Sequence, residues 1–226
     1  MAHRKQQDYV STIKKYLPRY FSRTKVLEVG ALNINGSCRS HFEQADYCGI
    51  DLDIGPGVDK IMEGQLADFP SGQFDVCISV ECFEHNPFWL ETFINMARMT
   101  KESGIVIITC ATTGRREHGT SRSDPKASPF TISNGWNYYK NLTQNDFSSR
   151  IELGNWFDDW HFDADHISHD LYFIGLRRQT MPEKLPSALV DALKIQNSSY
   201  RSLKAFRRSI KASIRGFLDS ISGRSA

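Results

Sequence analysis

The run Ile105-Val-Ile-Ile-Thr109 sets four apolar residues in succession, introduced by Ser103-Gly104. A strand wetted on one face alternates apolar and polar side chains, so an unbroken apolar run suits a strand covered on both faces, as in a parallel sheet. Three further segments read as strands: Lys25-Val-Leu-Glu-Val29, Tyr47-Cys-Gly-Ile-Asp51 and Phe74-Asp-Val-Cys-Ile-Ser-Val80. A short one runs through Asp59-Lys-Ile-Met62. Helices fill the intervals. Tyr9, Ile13, Tyr16, Leu17 and Tyr20 have helical spacing over residues 8–22, with Pro18 late in the run. Further helices are expected over about 36–44, over about 87–100 with Pro87 in the first turn, and over 142–150. Strands alternating with helices predict an α/β chain with a right-handed, doubly wound sheet, whose ligands sit at the carboxyl ends of the strands. Residues 111–140 break the rhythm with a polar, Gly/Pro/Ser-rich stretch, long enough to be a substrate-side loop or a lid. Segments 150–157 and 170–177 are two late strands, expected to pair with each other.

At 226 residues the chain suits one globular domain with additions. Its boundaries fall at 1–24 for a leading helix, 25–180 for the main domain and 181–226 for a helical tail. Five cysteines, odd in number and without a CxxC pair, argue against a disulfide framework and against zinc. No secretory signal and no long apolar span is present, so a cytoplasmic location is expected. Charge is unevenly spread: from Asn197 onward there are seven Lys/Arg against one Asp, which leaves 21 basic and 25 acidic residues before it. The mildly acidic body carries no basic stripe interleaved with aromatics, so nucleic acid is not an expected partner.

The first strand ends at Gly30 and the second at Asp51, 23 positions beyond Glu28. A carboxylate at the tip of the second strand can accept hydrogen bonds from both hydroxyls of an adenosine ribose, while a glycine turn admits close approach of the ligand. Dinucleotide enzymes use the same logic with three glycines that seat a pyrophosphate. Here Leu32 and Ile34 stand in that loop, which favours a nucleoside without phosphates. Asn33 and Asn35 are suited to replace glycine, because Asn tolerates left-handed backbone.

Over roughly Lys25 to Arg177 the chain resembles the class I S-adenosylmethionine-dependent methyltransferases. The resemblance rests on Glu28-x-Gly30, Asp51 ending strand two, Phe74-Asp75 opening strand four, Cys82 to His85, and the Gly-led fifth strand. It implies a Rossmann-like, mostly parallel seven-stranded sheet with an antiparallel last strand. It further implies that Glu28, Gly30 and Asn33 face the methionine part, that Asp51 and Leu52 bind the ribose, that Glu63, Gly64 and Gln65 flank adenine, and that Ser79 and Val80 line the far wall. The pieces YCGIDLDIGPGVD, REHGT and NYYKNLTQNDF look like a bacterial subgroup associated with sugar or surface-glycan pathways. The expected activity is O-methylation of a sugar or glycan hydroxyl. The alternatives are a non-sugar small-molecule methyltransferase and a cofactor-binding scaffold without turnover, with an NAD-dependent oxidoreductase further behind.

Methyl transfer to a hydroxyl needs in-line approach and a base. Glu117 and His118, in the loop after the fifth strand, are the candidate bases, against the plainer reading of a solvated loop. Trp136, Tyr138 and Tyr139 either form a sugar-stacking wall or anchor the loop. His85 reads as structural or cofactor-adjacent before catalytic. The cluster from Asp158 to Asp170, rich in Asp and His, either ligates a divalent ion or forms a polar turn between two strands, and the turn is favoured. In the tail, Leu203, Phe206, Ile210, Ile214, Phe217 and Ile221 form the apolar stripe of a cationic amphipathic helix. That stripe packs on the domain or a second copy, or it lies on an anionic membrane at the inner face.

Overall fold

The structure is a computed structural model that describes residues 3–196. The tail stripe from Leu203 to Ile221 lies outside the described residues. Seven strands form one sheet in the order β3-β2-β1-β4-β5-β7-β6. They are β1 (Lys25–Val29), β2 (Asp46–Asp51), β3 (Lys60–Ile61), β4 (Phe74–Val80), β5 (Thr100–Ala111), β6 (Phe157–Asp165) and β7 (Asp170–Arg177). Strands β1 to β5 are parallel, and β7 runs antiparallel to both of its neighbours, β5 and β6. The expected mostly parallel sheet with an antiparallel last strand is present.

Period-two alternation assigns the strand side chains to two cores. Val26, Val76, Ile78, Ile105, Ile107, Tyr172 and Ile174 meet α1 (Arg4–Tyr16) and the helix over residues 187–196. Leu27, Cys77, Val106, Ile108 and Phe173 meet α2 (Trp89–Met99) and the short helix Gln144–Ser148. Helix α1 buries Gln6, Tyr9, Val10 and Ile13, one face at helical spacing. On the other face Phe93 of α2 lies against Phe147, Phe157 and Phe173, with centroids 5.2, 5.8 and 5.3 Å away.

Four expectations are corrected. The leading helix starts at Arg4 and stops at Tyr16 rather than spanning 8–22, because Pro18 drives Leu17 out of helical geometry (φ −128°, ψ 54°) and opens a separate short turn. The helix expected over 36–44 is a single turn, Arg39–His41. Its apolar anchors Cys38 and Phe42 are one turn apart, and the chain then becomes extended where Ser22 bridges Glu43. Consequently only the β4–β5 crossover carries a full helix inside the sheet's parallel half. Segment 150–157 is a loop with one turn at Leu153–Asn155, and the strand that pairs with β7 is the Asp/His-rich Phe157–Asp165. An edge strand needs apolar side chains on few positions, so its polar composition concealed it. Its carboxylates serve the backbone: Asp158 accepts from the amides of Gln179 and Glu183, Asp159 from Leu185, and Asp165 from Ile167.

Glu28 sits on β1 under the core that meets α1, 4% exposed, and accepts the Tyr47 hydroxyl at 2.9 Å. Burial lifts its carboxyl from the ordinary 4.5 to about 7, against the Tyr47 hydrogen bond and Arg39, which pull it down. Because the folded value lies above the unfolded one, stability from this group is complete below about pH 4.5 and is lost as pH rises through about 7. Glu28→Gln keeps an acceptor for Tyr47 and removes the ionisation. It is expected to stabilise the fold by about 1–2 kcal/mol at pH 8 and by almost nothing at pH 4.5. Urea unfolding at both pH values checks this; an equal change at both would refute it.

Candidate functional site

The β1–β2 register pairs Val29 with Ile50, so the next residues, Gly30 and Asp51, lie side by side at the sheet's carboxyl edge. The amides of Gly30 and Ala31 both donate to the Ile50 carbonyl, at 3.0 and 3.1 Å, which turns the chain sharply away from β1. Gly30 adopts φ +80°, and a Cβ there would lie 2.5 Å from Cβ and 2.6 Å from Sγ of Cys82. Asp51 then holds the turn: one oxygen accepts the Leu32 amide at 2.9 Å and the other the Leu52 amide at 2.8 Å. Each oxygen keeps a further lone-pair direction for an outside donor. Burial raises the Asp51 pKa, and the two amide hydrogen bonds oppose that shift.

Leu32, where a dinucleotide loop has glycine, packs into the space that Gly55 leaves; a Cβ on Gly55 would stand 2.5 Å from Leu32 Cδ1. Asn33 and Asn35 are not in the left-handed conformation foreseen for them, and Gly36 takes the positive φ, 137°. The Asn33 side chain accepts the Gly36 amide at 2.9 Å and pins the turn.

These elements form one wall of a cleft at the carboxyl ends of the strands. Gly30, Leu32, Asp51, Leu52 and Gly64 all line it. Gly64 is needed for close packing, since a Cβ would meet Val29 and Thr92 at 2.7 Å. Glu28, Asn33, Glu63, Gln65, Ser79 and Val80 are not among the lining residues. Glu63 and Gln65 hydrogen-bond each other, Ser79 donates to the Val29 carbonyl at 2.8 Å, and Val80 is core. The far wall is instead Glu81, Cys82, His85 and Asn86, just past β4, closed by Phe130 and Trp136 from the segment 111–140. That segment therefore flanks the cleft, as its length suggested.

A polar pocket adjoins the cleft and shares Glu81 and His85 with it. Glu81 has a left-handed backbone, φ 53°, a strained state for a non-glycine residue. Arg115 bridges Glu81 at 3.1 Å and the buried Asp170 at 3.0 Å, and His3 reaches Asp170 at 3.2 Å. Glu84, fully buried, has no hydrogen-bond partner on either oxygen. Burial pushes both Glu81 and Glu84 well above the usual carboxylate range, and their mutual repulsion adds to this for Glu81. Burial drives His85 down to about 3, helped by His118.

Both candidate bases, Glu117 and His118, line this pocket, with different partners. His118 lines the pocket and packs edge-on against His85 and Tyr139, with centroids 4.9 and 5.0 Å away. Glu117 is bound by Arg122 at 2.8 Å and Thr120 at 2.7 Å, which hold its carboxyl below the usual range. Of the aromatics, Trp136 lines the cleft, Tyr139 packs by His85 and His118, and Tyr138 lines neither space. The sequence offers no reading of Glu81 or Asn86, and Glu84 enters only within the Cys82 to His85 resemblance; the available signal was two acidic residues immediately beyond an apolar strand.

Residues 1–170 match the family described as "Methyltransferase domain", and the chain belongs to that family. Among solved structures it resembles phosphoethanolamine N-methyltransferase 2 of Haemonchus contortus in complex with S-adenosyl-L-methionine (TM-score 0.53, 13% identity), over 76% of this chain and 52% of that one. It also resembles the 1,6-didemethyltoxoflavin-N1-methyltransferase of Burkholderia thailandensis, solved with S-adenosylhomocysteine (TM-score 0.53, 12% identity, 78% and 79% covered). A third is a putative methyltransferase of Bacillus halodurans (TM-score 0.52, 9% identity, 76% and 99% covered). At such identities the likeness concerns the fold. The chain spans about half the length of the Haemonchus enzyme. No curated protein matches it in sequence.

Proposed function

We infer that this chain transfers the methyl group of S-adenosylmethionine to an acceptor oxygen, and that the acceptor is a hydroxyl of a sugar or glycan. The observation that carries the cofactor reading is the meeting of Gly30, Asp51 and Gly64 in one cleft at the carboxyl ends of β1 to β3. The fold neighbours from Haemonchus and Burkholderia were solved with the methyl donor or its product, which supports the same choice. When bound, S-adenosylmethionine supplies an electrophilic methyl group on a positively charged sulfur. The chain's residues do the rest. Asp51 accepts the ribose hydroxyls on its free lone pairs, the Gly30 turn admits the ligand beside bare backbone, and the apolar side chains of Leu32 and Met62 exclude water. The bulk of Leu32 and Ile34 disfavours a pyrophosphate, which separates this cleft from a dinucleotide site.

For the acceptor, the support is chemical. The polar pocket joins the cleft through Glu81 and His85, so a hydroxylated ligand there lies next to the donor site. Trp136 and Phe88, paired at 5.5 Å, offer an aromatic face of the kind on which sugar rings stack. Calorimetric titration is expected to detect binding of S-adenosylmethionine and S-adenosylhomocysteine but not of NAD. Release of S-adenosylhomocysteine is expected with glycan hydroxyl acceptors. Binding of NAD alone would overturn the cofactor reading, and turnover confined to amine or carbon acceptors would overturn the acceptor reading.

A further inference from the structure

Among the described residues, ten buried side-chain polar atoms lack a hydrogen-bond partner, and four of them belong to Glu81, Glu84 and His85. Such atoms are costly: a buried polar group without a partner loses its hydration and gains nothing. A cluster of them, all acceptors or potential acceptors, is a surrounding that a bound cation would satisfy. The charge distribution points the same way. Three buried carboxylates, Glu81, Glu84 and Asp170, face a single guanidinium, Arg115, whose two arms are spent on Glu81 and Asp170. Lys140 gives its amide to the Glu84 carbonyl and its ammonium to Asp146. Among the described residues Glu84 has no ion pair of its own and shares only the field of Arg115.

The geometry points to a divalent-cation site formed by Glu84, His85 and His118. One ligand atom from each lies within 4.8 Å of the others. Around an ion with metal–ligand distances of about 2.0–2.2 Å, such atoms stand roughly 3–3.5 Å apart, so modest side-chain rotation closes the set. A carboxylate with two imidazoles is a borderline ligand set, suited to Mn²⁺, Fe²⁺, Co²⁺ or Zn²⁺ rather than to Ca²⁺. His118 is already oriented for the task. Its Nδ1 lies 3.0 Å from the Arg116 carbonyl, which can only accept, so Nδ1 carries the proton and Nε2 keeps its lone pair. The loop is shaped to bring the two histidines together: Gly119, at φ +66°, has no Cβ, and one would stand 2.6 Å from His85 Cε1. Glu81, whose Oε1 is also unpartnered, lines the same pocket. In the other group of potential ligands, His3, Glu81 and Asp170, Arg115 already binds both carboxylates and His3 reaches Asp170.

Three protein ligands leave coordination positions open toward the pocket. Resting on the proposed function, those positions take the acceptor's hydroxyl oxygen and hold it beside the donor cleft, which His85 also lines. Cation binding itself does not depend on that reading. The full-length protein, stripped with chelator and dialysed, is titrated with Co²⁺ and with Mn²⁺, and followed by visible absorption and by the loss of free Mn²⁺ signal in electron paramagnetic resonance. One equivalent is expected to bind, with Co²⁺ d–d bands of nitrogen and oxygen ligation. The near-isosteric Glu84→Gln and the separate His118→Asn are each expected to weaken binding at least 10- to 100-fold, with circular dichroism showing both folded. Absence of stoichiometric binding by wild type, or equal affinity in both folded variants, would overturn the site. S-adenosylmethionine titration of the stripped protein reports separately: its failure with Co²⁺ binding intact would overturn the donor reading alone.

Discussion

Asp51→Ala is expected to weaken S-adenosylmethionine and S-adenosylhomocysteine by the same factor, about 10- to 150-fold, or about 1.5–3 kcal/mol for lost hydrogen bonds to a charged group. The equality follows from chemistry. Both ligands carry the same ribose, and on the proposed reading Asp51 meets its hydroxyls, away from the sulfur that distinguishes substrate from product. A second loss adds to the first, because the carboxylate also accepts the amides of Leu32 and Leu52, and its removal leaves both without a partner. Calorimetry on wild type and variant, with unfolding curves to show that the variant remains folded, measures the effect. Unchanged affinity for both ligands would remove Asp51 from the donor site.

Gly30→Ala is expected to be the most damaging conservative substitution at the site. Two penalties combine: a φ of +80° costs an L-residue about 1–2 kcal/mol, and the new Cβ would overlap Cys82 at 2.5–2.6 Å, with overpacking typically costing about 1–3 kcal/mol more. Stability is expected to fall by about 2–5 kcal/mol and donor binding with it. The two contributions can be separated. Cys82→Ala in the Gly30→Ala background removes Sγ but leaves the Cβ at 2.5 Å, so it should recover little, whereas Cys82→Gly should recover the overlap part and leave the backbone part. Full recovery by Cys82→Ala would show that sulfur contact alone sets the requirement for glycine.

Much of the parallel half of the fold was legible, because β1, β4 and the centre of β5 are buried on both faces and are therefore mostly apolar. Strand β7 was read to the residue for the same reason. The errors lie where the deciding interactions are remote in sequence. No local pattern reveals that Glu43 bridges Ser22, that Pro18 starts a turn of its own, or that Asp158 caps amides beyond residue 178. In the cleft, Gly30, Asp51, Leu52 and Gly64 were legible because each ends or follows a strand. The burial of Glu81 and Glu84 was not, since an acidic residue after a strand usually meets water.

The Asp/His-rich strand β6 has a consequence beyond its place in the sheet. A sheet left open at its sides exposes free amides and carbonyls that another chain can use to extend it. Here one border is β3, only two residues long, and the other is β6, which carries four aspartates within nine residues. A neighbouring copy that tried to add a strand beside β6 would bring like charges together at several positions. The segment whose composition suggested ion ligation thus discourages fibril-like growth, and neutralising Asp158, Asp159 and Asp163 would be felt first in solubility rather than in turnover.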